Sequence, residues 1–180
     1  ISGALTGLGR HREATTVILH EVENLTRLLG ENHNTTLTYI SHLGAAHLCA
    51  DETTIARYWL GRASDGREIA LGAEHPWTII SQSQYAIALL RDGDTDSAAL
   101  MFNSLKSRLP HIEESLARSW AMRALGEWSL RQSRYEDATS YYRSAYAIAS
   151  LPDMRFRASL YAVETGLALS LSRAKSDTEA

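Results

Sequence analysis

Leu29-Gly30-Glu31-Asn32-His33-Asn34-Thr35-Thr36-Leu37 returns further along the chain as Leu71-Gly72-Ala73-Glu74-His75-Pro76-Trp77-Thr78-Ile79. The offset is the same at every matched position (71 − 29 = 42). Carried outward, it aligns Ala14, Ala56 and Ala98, each followed four residues later by a large apolar side chain: Ile18, Leu60 and Phe102. A further unit, with Ala138 and Tyr142, follows at a spacing of 40 (138 − 98). The turn ahead of each alanine recurs too, as Gly9, Asp51, Gly93 and Ser133. Self-similarity at such a period marks a repeat architecture, in which each unit is one supersecondary element that cannot bury its apolar face alone.

Inside each unit the apolar spacing is helical. Tyr39, Leu43 and Ala46 follow it, as do Tyr85 with Leu89 and Leu125 with Trp128. Pro76 fits the first turn of a helix, where its missing N–H costs nothing, with His75 or Glu74 at the cap. Asp94-Thr95-Asp96 places carboxylates at the positive end of the next helix. Pro110 and Pro152 fall where one hairpin hands over to another. The spacing predicts helices over 11–29, 34–49, 53–70, 76–92, 95–108, 112–132, 135–149 and 154–173. The expected fold is all-α, built of stacked antiparallel helix pairs. It forms a single domain over 1–173, with units at 1–33, 34–75, 76–111 and 112–152, a terminal helix at 153–173 and a frayed tail over 174–180.

Composition removes several classes of function. Hydrophobic residues make up 44% and charged residues 22%, the balance of an ordinary folded domain, and three prolines in 180 residues favour helices. A net charge of −3 offers no nucleic-acid surface. No apolar run reaches the roughly 18 residues that a membrane-spanning helix needs. The single cysteine, Cys49, cannot form an internal disulfide, which suits a reducing compartment and a cytoplasmic location and is equally compatible with a periplasmic domain. It reads as a buried small hydrophobe. A start at Ile1 without methionine suggests a piece of a longer protein.

The stretch from Leu125 to Ala145 resembles the tetratricopeptide consensus. Leu125-Gly126 matches the Leu-Gly pair of its first helix, and Tyr135, Ala138, Tyr142 and Ala145 match the signature of its second. Leu43-Gly44, Ala56, Leu60 and Ala63 repeat the pattern, and Tyr85-Ala86 replaces Leu-Gly in the middle unit. The period of 42 and the Leu-Gly-x-x-His-Pro-x-Thr linker resemble the kinesin-light-chain-like variant of that family. The resemblance implies a right-handed superhelical solenoid of three to four repeats with a concave surface, lined by the first helix of each pair, that holds a protein or peptide.

Carrying the inner positions across gives Thr38, Ser41, His42, Ala45 and Cys49 in the first complete unit. The second contributes Ile80, Ser83, Gln84, Ile87 and Arg91, and the third Trp120, Arg123, Ala124, Glu127 and Arg131. Arg91, Arg123 and Arg131 would suit an acidic ligand, since guanidinium forks pair well with carboxylates; pairing with Glu127 and other acids is the competing role. The family's backbone-clamping asparagine is replaced here by His42, Gln84 and Ala124, of which Gln84 keeps a side-chain amide. Trp77, Tyr58 and Trp59 are candidates for an aromatic contact site, against inter-repeat packing as the simpler role.

Catalytic and metal chemistry find no support. His42 and His47 are five apart, off the i, i+4 geometry of a helical zinc site, and His20-Glu21 is followed by Asn24 where a metalloprotease motif needs histidine. Gly7-Leu8-Gly9 falls in a turn without a preceding strand, and Glu113-Glu114 suits a helix start. His33 and His75 occupy equivalent linker positions and read as caps. The expectation is therefore a binding scaffold without cofactor, metal or membrane, the regulatory part of a larger signalling or transcription-regulatory protein. Two alternatives accompany it. One is self-association through the last helix, whose Phe156, Leu160, Val163, Leu167 and Leu171 form an apolar stripe with nothing after it. The other is a small-molecule sensor in the groove.

Overall fold

Helix starts and stops are set by short-range chemistry, and the repeated turns show it most directly. The structure, a computed structural model, describes residues 11–113, 115–150 and 157–178. Those residues form eight α-helices: α1 His11–Leu29, α2 Asn34–Cys49, α3 Thr53–Leu71, α4 Pro76–Asp92, α5 Thr95–Arg108, α6 Ser115–Arg131, α7 Tyr135–Ala149 and α8 Arg157–Thr178. His33 and His75 cap α2 and α4 identically. Each holds an extended backbone, and its Nδ1 accepts from the N–H two residues on, Thr35 and Trp77, at 3.2 Å in both cases. Each ring therefore carries its proton on Nε2. The recurring turn at Asp51, Gly93 and Ser133 is left-handed throughout, with φ of 60°, 89° and 57°; its first member, Gly9, lies outside the described residues.

Two expected boundaries move. Leu109–His111 forms a 3₁₀ turn around Pro110, with the Ile112 N–H donating to the Leu109 carbonyl, so residues 112 and 113 lie outside α6. Proline removes a backbone donor and forces the tighter turn to close the segment. At the other end α8 runs through Thr178, so residues 174–178 continue a helix where a frayed tail was expected. Pro152, Phe156 and Glu114 lie outside the described residues.

The chain divides into two compact units, one ending at Ser97 and the other beginning at Ala98, inside α5. In the first, α1 packs on α2, α2 on α3 and α3 on α4. Its core gathers Ile18, Val22, Leu37, Ile40, Leu43 and Ala63, with Tyr39 and Trp59 packed alongside. The Leu43-Gly44 pair has a steric reason: a Cβ on Gly44 would lie 2.5 Å from Leu60 Cγ and 3.2 Å from the Leu60 backbone nitrogen. Hydrogen at this position is what lets α2 and α3 cross closely.

The same unit is tied at one end by Arg57 on α3, which donates to Asp92 at 3.2 Å and to Asp94 at 2.7 Å. Thr53 and Thr54 also donate to Asp92, and Asp94 caps α5 by accepting from the Ser97 N–H at 3.2 Å. Hydrogen bonds from Thr54, then Arg57, hold the Asp92 carboxyl below its ordinary range, and bonds from Ser97 do the same for Asp94. A carboxyl depressed in the folded state stabilises the fold above its unfolded value of about 4 and loses that contribution as pH falls through the folded value. Asp92→Asn should therefore destabilise most at pH 5–7. Urea unfolding should show the gap from wild type narrowing below about pH 4; a gap independent of pH would refute this role.

In the second unit α7 packs on both α6 and α8. Phe102 stacks on Trp128 with ring centroids 5.0 Å apart and planes 15° from parallel. Tyr142 sits with Ala138, Ala145 and Val163 in a cluster that Met122, Leu130 and Leu167 border. Val163 and Leu167 of the apolar stripe of α8 are therefore turned toward α7. Leu169 and Leu171 are exposed, at 45% and 41%.

Candidate partner-binding surface

On α3, Ala56, Leu60 and Ala63 form a buried stripe at helical spacing, and Arg67 continues it one turn on. A guanidinium thus occupies a core position, with Arg67 only 2% exposed. It reaches into the seam between α2 and α4. Nη1 donates to Ser81 Oγ at 2.6 Å, and at 3.4 Å to Ser41 Oγ and to the Trp77 carbonyl; Nη2 donates to Thr38 Oγ1 at 2.9 Å. The Trp77 ring covers it, with the guanidinium carbon 5.5 Å from the ring centroid. Its Nε–H has no hydrogen-bond partner.

No carboxylate among the described residues compensates this charge. Glu68, adjacent in sequence, accepts from Gln82 at 3.0 Å instead. Burial pulls the Arg67 guanidinium well below its ordinary value, to about 10, and the group stays charged at neutral pH. His42, exposed as a residue, lies nearby on α2. Protein packed around its ring, and secondly the Arg67 charge, hold its imidazole below its ordinary value, favouring the neutral form.

The expected inner-face residues divide by depth. On α2, Thr38 is half-buried and His42 exposed, but Ser41 is buried. On α4, Ile80, Ser83 and Ile87 are buried, which corrects their expected place on a ligand-facing surface. Eleven of the 17 residues of this helix are buried, because neighbours cover most of its circumference. Ser83 bonds within the helix, to the Ile79 carbonyl at 2.8 Å. Gln84 is half-buried, and its Oε1 is buried without a partner. Arg91 is exposed in the last turn. Cys49, expected to be buried, is exposed at the end of α2.

In the second unit the Arg123 guanidinium lies 5.0 Å from the centroid of the Trp120 ring, and both are half-buried. Glu127 is half-buried, Arg131 exposed in the last turn of α6, and Ala124 fully buried. The three aromatics proposed for one contact site separate. Tyr58 and Trp59 engage Arg62, which also pairs with Glu31, whereas Trp77 covers Arg67. A recess of about 230 Å³ beside Phe102 and Trp128, rimmed by Lys106, Arg134 and Asp137, is smaller than the roughly 300–1,000 Å³ typical of ligand pockets.

Residues 36–76, which span α2, α3 and the His75 cap, match the family model described as "Tetratricopeptide repeat". Over those residues the chain is similar to a tetratricopeptide repeat. The tetratricopeptide-like fold extends beyond the matched segment. A Podosopora anserina crystal structure, of a provisionally assigned kinesin light chain with nearly identical TPR-like repeats, superposes with a TM-score of 0.68 at 18% identity. The likeness covers 99% of this chain and 85% of that one. A single-substitution variant of the same Podosopora anserina repeats superposes at 0.69, with the same identity and coverage. No curated protein matches the chain. Among the described residues, no helix is long and apolar enough to cross a membrane.

Arg67 is the residue that motif reasoning missed, although its signal was present. It is a charge on an otherwise small and apolar stripe at positions 56, 60 and 63. The repeat does not require it: the equivalent positions are Leu25 (67 − 42), Leu109 (67 + 42) and Ala149 (109 + 40).

Proposed function

We propose that this tetratricopeptide-like chain is a protein-interaction scaffold, the peptide-binding portion of a larger cytoplasmic regulatory protein, and that it works by binding rather than catalysis. Stacked helical hairpins create extended surfaces suited to a peptide, and the repeat family is used in that way. The observation that carries this reading is the Gln84 amide. Its Oε1 is buried and unpaired on α4, one turn beyond Ser81, at the position where the family places a backbone-clamping side chain. A buried acceptor left unmade costs about 1–3 kcal/mol, and a peptide N–H would recover it.

Selection from a displayed random-peptide library against the whole chain tests the reading. Enriched peptides should perturb the amide signals of Thr38, His42 and Gln84, and Gln84→Ala should weaken them about tenfold, the equivalent of about 1.4 kcal/mol. No enrichment, or binders that are indifferent to Gln84 and map to α3, would count against it.

A further inference from the structure

We propose that the outward face of α3 is a dimerisation surface, on which α3 of a second copy of the chain lies antiparallel. Ile55, Tyr58, Arg62, Asp65 and Ile69 follow one another along this helix at alternating intervals of three and four residues. That spacing keeps all five on one side of an α-helix, as along the seam of a coiled coil. The side is the one turned away from the core. Ala56, Leu60, Ala63 and Arg67 are buried where α3 packs on α2 and α4. Ile55, Tyr58 and Ile69 are instead 46%, 58% and 78% exposed, Asp65 is exposed and Arg62 half-buried. The repeat does not call for this stripe. One repeat earlier the same positions hold Glu13, Thr16, His20, Glu23 and Arg27, and one repeat later Ser97, Leu100, Ser104, Ser107 and His111. Exposed apolar side chains grouped on one face, rather than scattered singly, mark an interaction surface.

The stripe is complementary to itself, and this names the occupant. Two copies of α3 set antiparallel about a two-fold axis between residues 63 and 64 place Arg62 of each opposite Asp65 of the other, and Tyr58 opposite Ile69. Two-fold symmetry makes each contact twice, so two ion pairs are flanked by two apolar contacts. A parallel pairing would set Arg62 against Arg62 and Asp65 against Asp65, so the order of charges selects the antiparallel one. The cation is already positioned. The Arg62 guanidinium carbon lies 5.7 Å from the Tyr58 ring centroid and 5.2 Å from that of Trp59, and the group pairs with Glu31. Its five N–H donors leave capacity for a second carboxylate, and holding it beforehand lowers the entropy lost on association. Partial burial of its carboxyl and then the charge of Glu68 raise Asp65 above its ordinary range, and a facing guanidinium would offset that repulsion. Dimerisation is independent of peptide binding, because this side of α3 is opposite the one that meets α2 and α4, the helices carrying Thr38, His42 and Gln84.

Sedimentation equilibrium of the whole chain at a series of concentrations provides the test. Wild type should pass from monomer to dimer as concentration rises. Arg62→Asp and Asp65→Arg should each weaken the dimer about tenfold or more, since each sets like charges face to face twice. An equimolar mixture of the two variants should recover the wild-type association constant to within about threefold, because both facing pairs are then of opposite charge. Far-UV circular dichroism checks that each variant is folded. A wild type that stays monomeric at every concentration overturns the proposal and assigns the exposed face to a different protein. A dimer that neither charge reversal weakens overturns it as well, and so does a mixture that fails to recover, since residues 62 and 65 would then not face each other. Should Arg62→Asp, which also gives up the Glu31 pair, not fold, wild type and Asp65→Arg decide the matter: equal association by the two excludes the antiparallel pairing.

Discussion

Tyr142→Ala should cost the second unit about 3–5 kcal/mol, a large share of the 5–15 kcal/mol that stabilises a typical domain. The ring is 3% exposed and packs among Ala138, Ala145 and Val163. Two glycines flank it. A Cβ on Gly126 of α6 would lie 3.0 Å from the ring, and one on Gly166 of α8 only 2.3 Å. The site therefore has little side-chain material with which to fill the hole that alanine leaves, and poorly collapsing cavities sit at the costly end of the range. Gly166→Ala probes the same contact from the other side and should destabilise by about 1–3 kcal/mol, as overpacking against a stiff ring does. Urea unfolding followed by far-UV circular dichroism and tryptophan fluorescence measures both. A loss below about 1.5 kcal/mol for Tyr142→Ala would mean that the ring is not the keystone of this cluster.

The second large effect lies where α2 crosses α3. Leu60 is fully buried against Gly44, so Leu60→Ala should cost about 2–5 kcal/mol. Gly44→Ala gains about 1 kcal/mol of helix propensity, yet places a methyl 2.5 Å from Leu60 Cγ and should be destabilising on balance. Together the two changes should cost less than their sum by about 1 kcal/mol or more, since the methyl at 44 occupies space vacated at 60. A double-mutant cycle reads this directly. Additivity within about 0.5 kcal/mol would show that the helices have moved apart rather than kept their crossing.

Much of the fold was legible before any coordinates. The repeated His33 and His75 segments predicted caps and are caps. The positions chosen as turns, Asp51, Gly93 and Ser133, are non-helical points at which the chain turns left-handed between paired helices. The Leu-Gly pairs marked the close crossings that Gly44 and Gly126 make. The candidate surface was less legible. Thr38 and His42 do face the seam that holds Arg67, but Ile80, Ser83 and Ile87 are core residues, and Cys49 is exposed.

The division has a physical cause. Period, helix limits and turn handedness depend on hydrogen bonds and sterics within four or five residues, so the amino-acid order by itself determined them. Whether an inner-helix side chain is ligand-facing or buried depends on residues far away in sequence. Arg67 meets Thr38 and Ser41 from 29 and 26 positions before it and Ser81 from 14 after. Only the packing of α2, α3 and α4 brings those groups together, and with them a buried charge that lacks an anion.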